Sequence, residues 1–94
     1  MTEVKVRLFA NLKEIAGTSE LKLGGDTVLE VLEALVQQFP GLKDRIFETA
    51  ASDPILCGYV NVFLNGDNIT HLDGLDTRVS DRDELGVLPP VSGG

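Results

Sequence analysis

The residues of this chain with the most specific chemical promise are its last six, Pro89-Pro90-Val91-Ser92-Gly93-Gly94. Two consecutive prolines lack backbone donors and fix φ, so they end the apolar run before them and send the chain outward as a semi-rigid, extended spacer. Beyond them the side chains dwindle, and Gly93-Gly94 has no Cβ to obstruct a narrow channel or to shield the terminal carbonyl. A free α-carboxylate on such a tip is suited to insertion into another protein's active site, activation there as an acyl adenylate, and attack by a nucleophile. Small residues also collect at ordinary chain termini, and a diglycine alone carries little weight. A Pro-Pro spacer, one apolar and one small residue, then a closing diglycine form a more specific arrangement.

The remaining candidates read blandly. Cys57, beside Leu56, is a small packed hydrophobe rather than a persulfide or thioester site. His71 has no second histidine or cysteine nearby and reads as a surface or turn residue. Gly24-Gly25 lacks the phosphate-loop pattern with its lysine, and reads as a turn. Lys5, Lys13, Lys22 and Lys43, conceivable acceptors of a second copy, read as solvated surface groups. No general base, metal site or phosphate loop emerges, so no bound cofactor is expected.

Composition sets the frame in which a reactive tail would work. A chain of 94 residues, 43% of them hydrophobic, makes one domain with a modest core and no need of metal or disulfide staples. A single cysteine excludes an internal disulfide and a zinc or iron–sulfur site, which suits a reduced, cytoplasmic protein. Met1-Thr2-Glu3-Val4-Lys5 is no apolar signal segment, and no stretch approaches membrane-spanning length. Fifteen acidic against eight basic side chains give a net charge of −7, which repels phosphate backbones and anionic bilayers. Neither nucleic acid nor membrane is therefore expected as a partner. A protein with a basic docking surface would suit the charge, although acidity is also an ordinary solubility device.

The elements that must position the tail follow from periodicity. Val4, Val6 and Leu8 alternate with Lys5, Arg7 and Phe9 as a strand with one buried face. Leu12, Ile15 and Ala16 have helical spacing within 11–16, closed by Gly17, and Glu20-Leu21-Lys22-Leu23 alternates again, predicting an antiparallel hairpin with the first strand. Thr27-Val28-Leu29-Glu30 fits a capping box. Apolar residues at 28, 31, 32, 35, 36 and 39 then form one broad stripe, predicting the main helix, which Phe39-Pro40-Gly41 stops. A further helical turn is expected at 42–47 and a loop at 48–58. A strand follows at 59–64, then a tight turn at Asn65-Gly66, a brief strand at 68–70, a polar turn at 81–84 and a last strand at 85–88 running straight into Pro89. This order, with one well-made helix against a mixed sheet, predicts an α+β chain of β-grasp type. Its last strand lies at the sheet centre beside the first, and the division is a domain at 1–88 with a flexible diglycine tail at 89–94.

With these elements in place the sequence resembles the MoaD and ThiS sulfur carriers, and more closely the archaeal ubiquitin-like small modifier proteins that share their fold. The resemblance spans essentially the whole chain. It rests on Leu8-Phe9-Ala10-Asn11-Leu12 with Glu14-Ile15-Ala16-Gly17, on Val60-Asn61-Val62 with Asn65-Gly66, on Asp83-Glu84-Leu85, and above all on Leu88 with the six tail residues. It implies that the Gly94 carboxylate is adenylated by an E1-like enzyme, which uses the ATP. The glycine then becomes either a thiocarboxylate delivering sulfur for molybdopterin, in company with the large subunit of molybdopterin synthase, or an acyl group joined to lysines of target proteins. Gly93 and 89–92 would thread into the partner. Two departures stand out: Leu88 replaces the aromatic residue usual in MoaD-like proteins, and 48–58 is longer than in the simplest carriers. A plain interaction domain with an inert tail is the reading from another class.

Phe9, Phe63 and Leu88 fall on the side of their strands opposite the core residues. In a β-grasp those strands are neighbours, so the three are expected to form one exposed apolar patch for docking, unless the 48–58 loop covers it.

Overall fold

The computed structural model describes residues 3–47 and 60–88. Five strands form one mixed sheet: β1 (Glu3–Leu8), β2 (Glu20–Gly24), β3 (Asn61–Leu64), β4 (Asp67–Asn68) and β5 (Glu84–Leu88), in the spatial order β2-β1-β5-β3-β4. The last strand is thus central. It pairs parallel to β1, with Val6 opposite Leu85 and Leu8 opposite Val87, and antiparallel to β3, with Val62 opposite Val87. The expected β1–β2 hairpin is present, Val4 facing Leu23 across an antiparallel ladder.

Strict alternation assigns the two sheet faces. Val4, Val6, Leu8, Leu23, Val62, Leu64, Leu85 and Val87 are buried beneath α2 (Val28–Gln38), whose own buried residues are Val28, Val31, Leu32 and Leu35. The helix begins as the sequence requires: the Thr27 hydroxyl accepts from the Glu30 amide at 3.2 Å. The Glu30 carboxylate accepts from the Asp26 amide at 3.0 Å, one residue ahead of the cap. Gly24 is not part of a turn as expected but the last residue of β2, paired with Glu3, and the glycine that follows it has a steric reason. A Cβ on Gly25 would stand 2.9 Å from the Val31 backbone nitrogen, so only glycine lets the strand run this close under the first turn of α2.

Two further expectations, Phe9 within the first strand and the strand at 68–70, are corrected. Phe9 does not continue the strand; β1 ends at Leu8 and Phe9 becomes the extended N-cap of α1 (Ala10–Ala16), because the backbone turns into the left-handed region at Ala10 (φ 52). Of the three helically spaced residues in 11–16, α1 buries Leu12, while Ile15 is 38% exposed. The helical turn expected at 42–47 is present as α3 (Lys43–Ile46), entered through a 3-10 turn at Pro40–Leu42, with Leu42, Ile46 and Phe47 buried. The brief strand at 68–70 stops at Asn68, whose side chain accepts from the Thr70 amide at 2.9 Å and starts a 3-10 turn over Ile69–His71. Among the described residues no helix is long and apolar enough to cross a membrane.

Candidate partner-binding platform

The outer face of the sheet carries the side chains that alternation leaves out of the core. At its middle is Gly86 of β5, flanked in register by Arg7 of β1 and Phe63 of β3. Phe9, one residue beyond β1, and Leu88, the last residue of β5, complete the rim. Phe9, Phe63, Gly86 and Leu88 line one shallow depression that runs on to Glu84 and the Asn65-Gly66 turn. The structure thus brings together the three apolar residues expected from the sequence, Phe9 38% exposed and Phe63 and Leu88 half-buried.

Backbone geometry sets Phe9 in place. A left-handed alanine costs roughly 1 kcal/mol, and here it swings the chain into α1 while leaving the preceding ring on the sheet. Arg7 packs beneath it, its guanidinium 5.8 Å from the ring centroid. The same guanidinium meets Glu84 across the β1–β5 ladder at 3.2 Å. Both side chains are about half exposed, so this pair contributes little to stability and mainly orients Arg7.

The charges of this face are largely matched within it. Lys5 lies 3.6 Å from Glu20, and a second, polar depression holds Glu3, Lys5, Lys22, Asp81, Arg82 and Glu84 toward the opposite end of β1. Among the described residues, acids away from this face include Asp26, Glu30 and Glu33 around α2, and Asp73 and Asp76.

Asn65-Gly66 and Asp83-Glu84 prove to be one clamp. Asn65 (φ 52) and Gly66 (φ 89) make the tight turn between β3 and β4. The Asn65 amide group donates to Asp83 Oδ1 at 3.0 Å, its carbonyl oxygen accepts from the Glu84 amide at 2.9 Å, and its own backbone amide donates to the Glu84 carbonyl at 2.8 Å. Asp83 Oδ2 accepts from the Ser80 amide at 2.7 Å. These bonds fix where β5 starts and so where it delivers Leu88.

Gly94, Gly93, Ser92, Val91, Pro90 and Pro89 lie outside the described residues, as do Cys57 and the segment 48–59. His71 is exposed at the end of its 3-10 turn, and Lys13, Lys22 and Lys43 are exposed. Sequence reasoning did not single out Arg7, Glu84 or Gly86. Period-two alternation was the available signal, since it places all three on the outer face.

The sequence pattern of the ThiS family matches residues 6–94. Small archaeal modifier protein 3 of Haloferax volcanii is 37% identical, over 98% of this chain and 99% of that protein. The molybdopterin synthase sulfur carrier subunit of Arabidopsis thaliana is 34% identical over 98% of this chain and 83% of its own. The solution structure of small archaeal modifier protein 1 from Methanosarcina acetivorans superposes with a TM-score of 0.93 at 55% identity, covering 100% of this chain and 98% of that one. A chain in the crystal structure of the Amycolatopsis orientalis BexX/CysO complex matches with a TM-score of 0.83 at 29% identity, over 97% of this chain and 99% of that one.

Proposed function

The chain belongs to the ThiS/MoaD family of ubiquitin-fold sulfur carriers, whose members include small archaeal modifier proteins, and from that membership we propose that its working group is the carboxylate of Gly94, activated in trans. The observation that carries the reading is the placement of β5: a central strand, bonded on both sides, ends at Leu88 on the apolar platform and hands the chain directly to Pro89. The family match runs through Gly94 itself.

In this scheme an E1-like enzyme binds ATP, and a Gly94 carboxylate oxygen attacks the α-phosphorus. Pyrophosphate leaves, and the acyl adenylate carries AMP as the next leaving group. A persulfide that attacks the carbonyl carbon displaces AMP, and a second thiol then reduces the acyl disulfide to the thiocarboxylate. That sulfur serves molybdopterin formation at the large subunit of molybdopterin synthase. The platform of Phe9, Phe63 and Leu88 docks the partner, residues 89–93 thread the tail, and this chain binds no cofactor of its own. The catalytic groups belong to the partner.

A second reading is favoured by the 55% identity to small archaeal modifier protein 1: a lysine amine of a target protein displaces AMP and forms an isopeptide bond. Intact mass of the chain purified from its native host separates the two. Replacement of one oxygen by sulfur supports the carrier; lysine-linked adducts without any thiocarboxylate overturn it in favour of the modifier.

A further inference from the structure

We propose that Gly86 is a specificity-determining residue of the platform, holding open a trough that takes one uncharged, apolar side chain of the protein that receives the tail. The inference rests on the carrier reading and adds what the partner must present. Glycine weakens a strand interior, and Gly86 sits in the middle of the central strand. Among the described residues nothing asks for it there. Its φ lies outside the left-handed region, and a Cβ would stand 3.7 Å from Phe9 Cε2 and 3.8 Å from Leu88 Cδ1, ordinary contact distances. Gly25 is the contrast, where the same atom would press on backbone. A strand glycine that neither conformation nor packing requires marks a place where another molecule approaches closely.

The occupant follows from the walls and from the tail. Arg7 is engaged by Glu84 at 3.2 Å and lies against the Phe9 ring, so its charge is already matched and needs no acid from outside. Phe9, Phe63 and Leu88 supply its apolar walls, and the polar groups at its far end are already engaged, Glu84 by Arg7 and Asn65 by Asp83 and Glu84. Six residues separate Leu88 from the end of Gly94, a reach of at most about 20 Å. A protein closing its active site on Gly94 therefore lies over the trough as well, and the inserted side chain is its own.

Gly86→Ala and Gly86→Val in the full chain test this, with the E1-like enzyme of the same organism and ATP–pyrophosphate exchange as the readout. Both variants should keep or raise Tm. Gly86→Val should raise KM for the chain about tenfold, Gly86→Ala less, with kcat little changed because the loss is one of docking. An unchanged KM in the valine variant overturns the assignment, as does a marked fall in Tm, which would make the glycine a requirement of the fold. Self-association of the wild-type chain that the valine variant loses, with KM unaltered, would assign the trough to a second copy and likewise overturn it. Failure of the wild-type chain to be activated at all overturns the carrier reading, and this assignment with it.

Discussion

At the scale of single residues, chemistry and docking are separable. If Gly94 is the group that reacts, deleting it or adding one residue after it should abolish ATP-dependent activation by the E1-like enzyme. Thermal stability should hardly move, because a terminal segment beyond the last strand contributes little packing; pyrophosphate exchange and a melting curve measure the two. Phe63 gives the converse case. It is half-buried on the outer face with Gly86 as its cross-strand neighbour, while Val62 and Leu64 on either side supply the core. Phe63→Asp should weaken binding to the activating enzyme by about tenfold or more, as loss of an aromatic docking contact does. Its Tm should stay within a few degrees of the parent; a collapse in stability would assign Phe63 to the core instead.

At the scale of elements, the clamp between the β3–β4 turn and the start of β5 makes its own prediction. Asp83→Ala removes the acceptor for both the Asn65 amide group and the Ser80 amide. Two partly exposed hydrogen bonds are worth about 1–2 kcal/mol together, which in a domain of this size lowers Tm by roughly 5–10 °C. The sequence made most of this level legible. The Thr27 cap and the stripe beginning at Val28 specify α2, the hydrophobic alternation specifies β1, β2, β3 and β5, and the run into Pro89 marks β5 as the strand that carries the tail. The misses share a cause. Ala10 adopts a left-handed φ without a glycine to announce it, so Phe9 reads as strand although it is a cap. Asn68 satisfies the Thr70 amide with its own side chain, a local bond that competes with a ladder and leaves no mark in the hydrophobic pattern. The platform was legible as three apolar residues; its trough was not, because a glycine at an outward position has no periodicity of its own.

At the scale of the whole molecule, charge and chemistry are segregated. The acidic residues around α2 keep that side solvated, while the outer sheet face matches its charges internally and exposes an apolar centre. In the proposed carrier role, this one face is what successive partners would meet. Deleting the chain from its host should therefore abolish molybdenum-cofactor formation, measured by the activity of a molybdenum-dependent enzyme, where no second carrier substitutes. If cofactor levels hold while lysines of host proteins lose the C-terminal remnant of residues 83–94, which trypsin leaves by cutting after Arg82, the modifier reading takes its place.

The position of β5 also has a mechanical consequence. An enzyme that grips the tail and draws it inward, or a product released against friction, pulls along the axis of the strand that ends at Leu88. That strand is bonded on one flank to β1 and on the other to β3. Tension along it loads both ladders in shear, so their bonds must yield together, whereas a strand at the sheet edge pulled the same way would be held by one ladder alone. The domain can thus be pulled along β5 and remain folded.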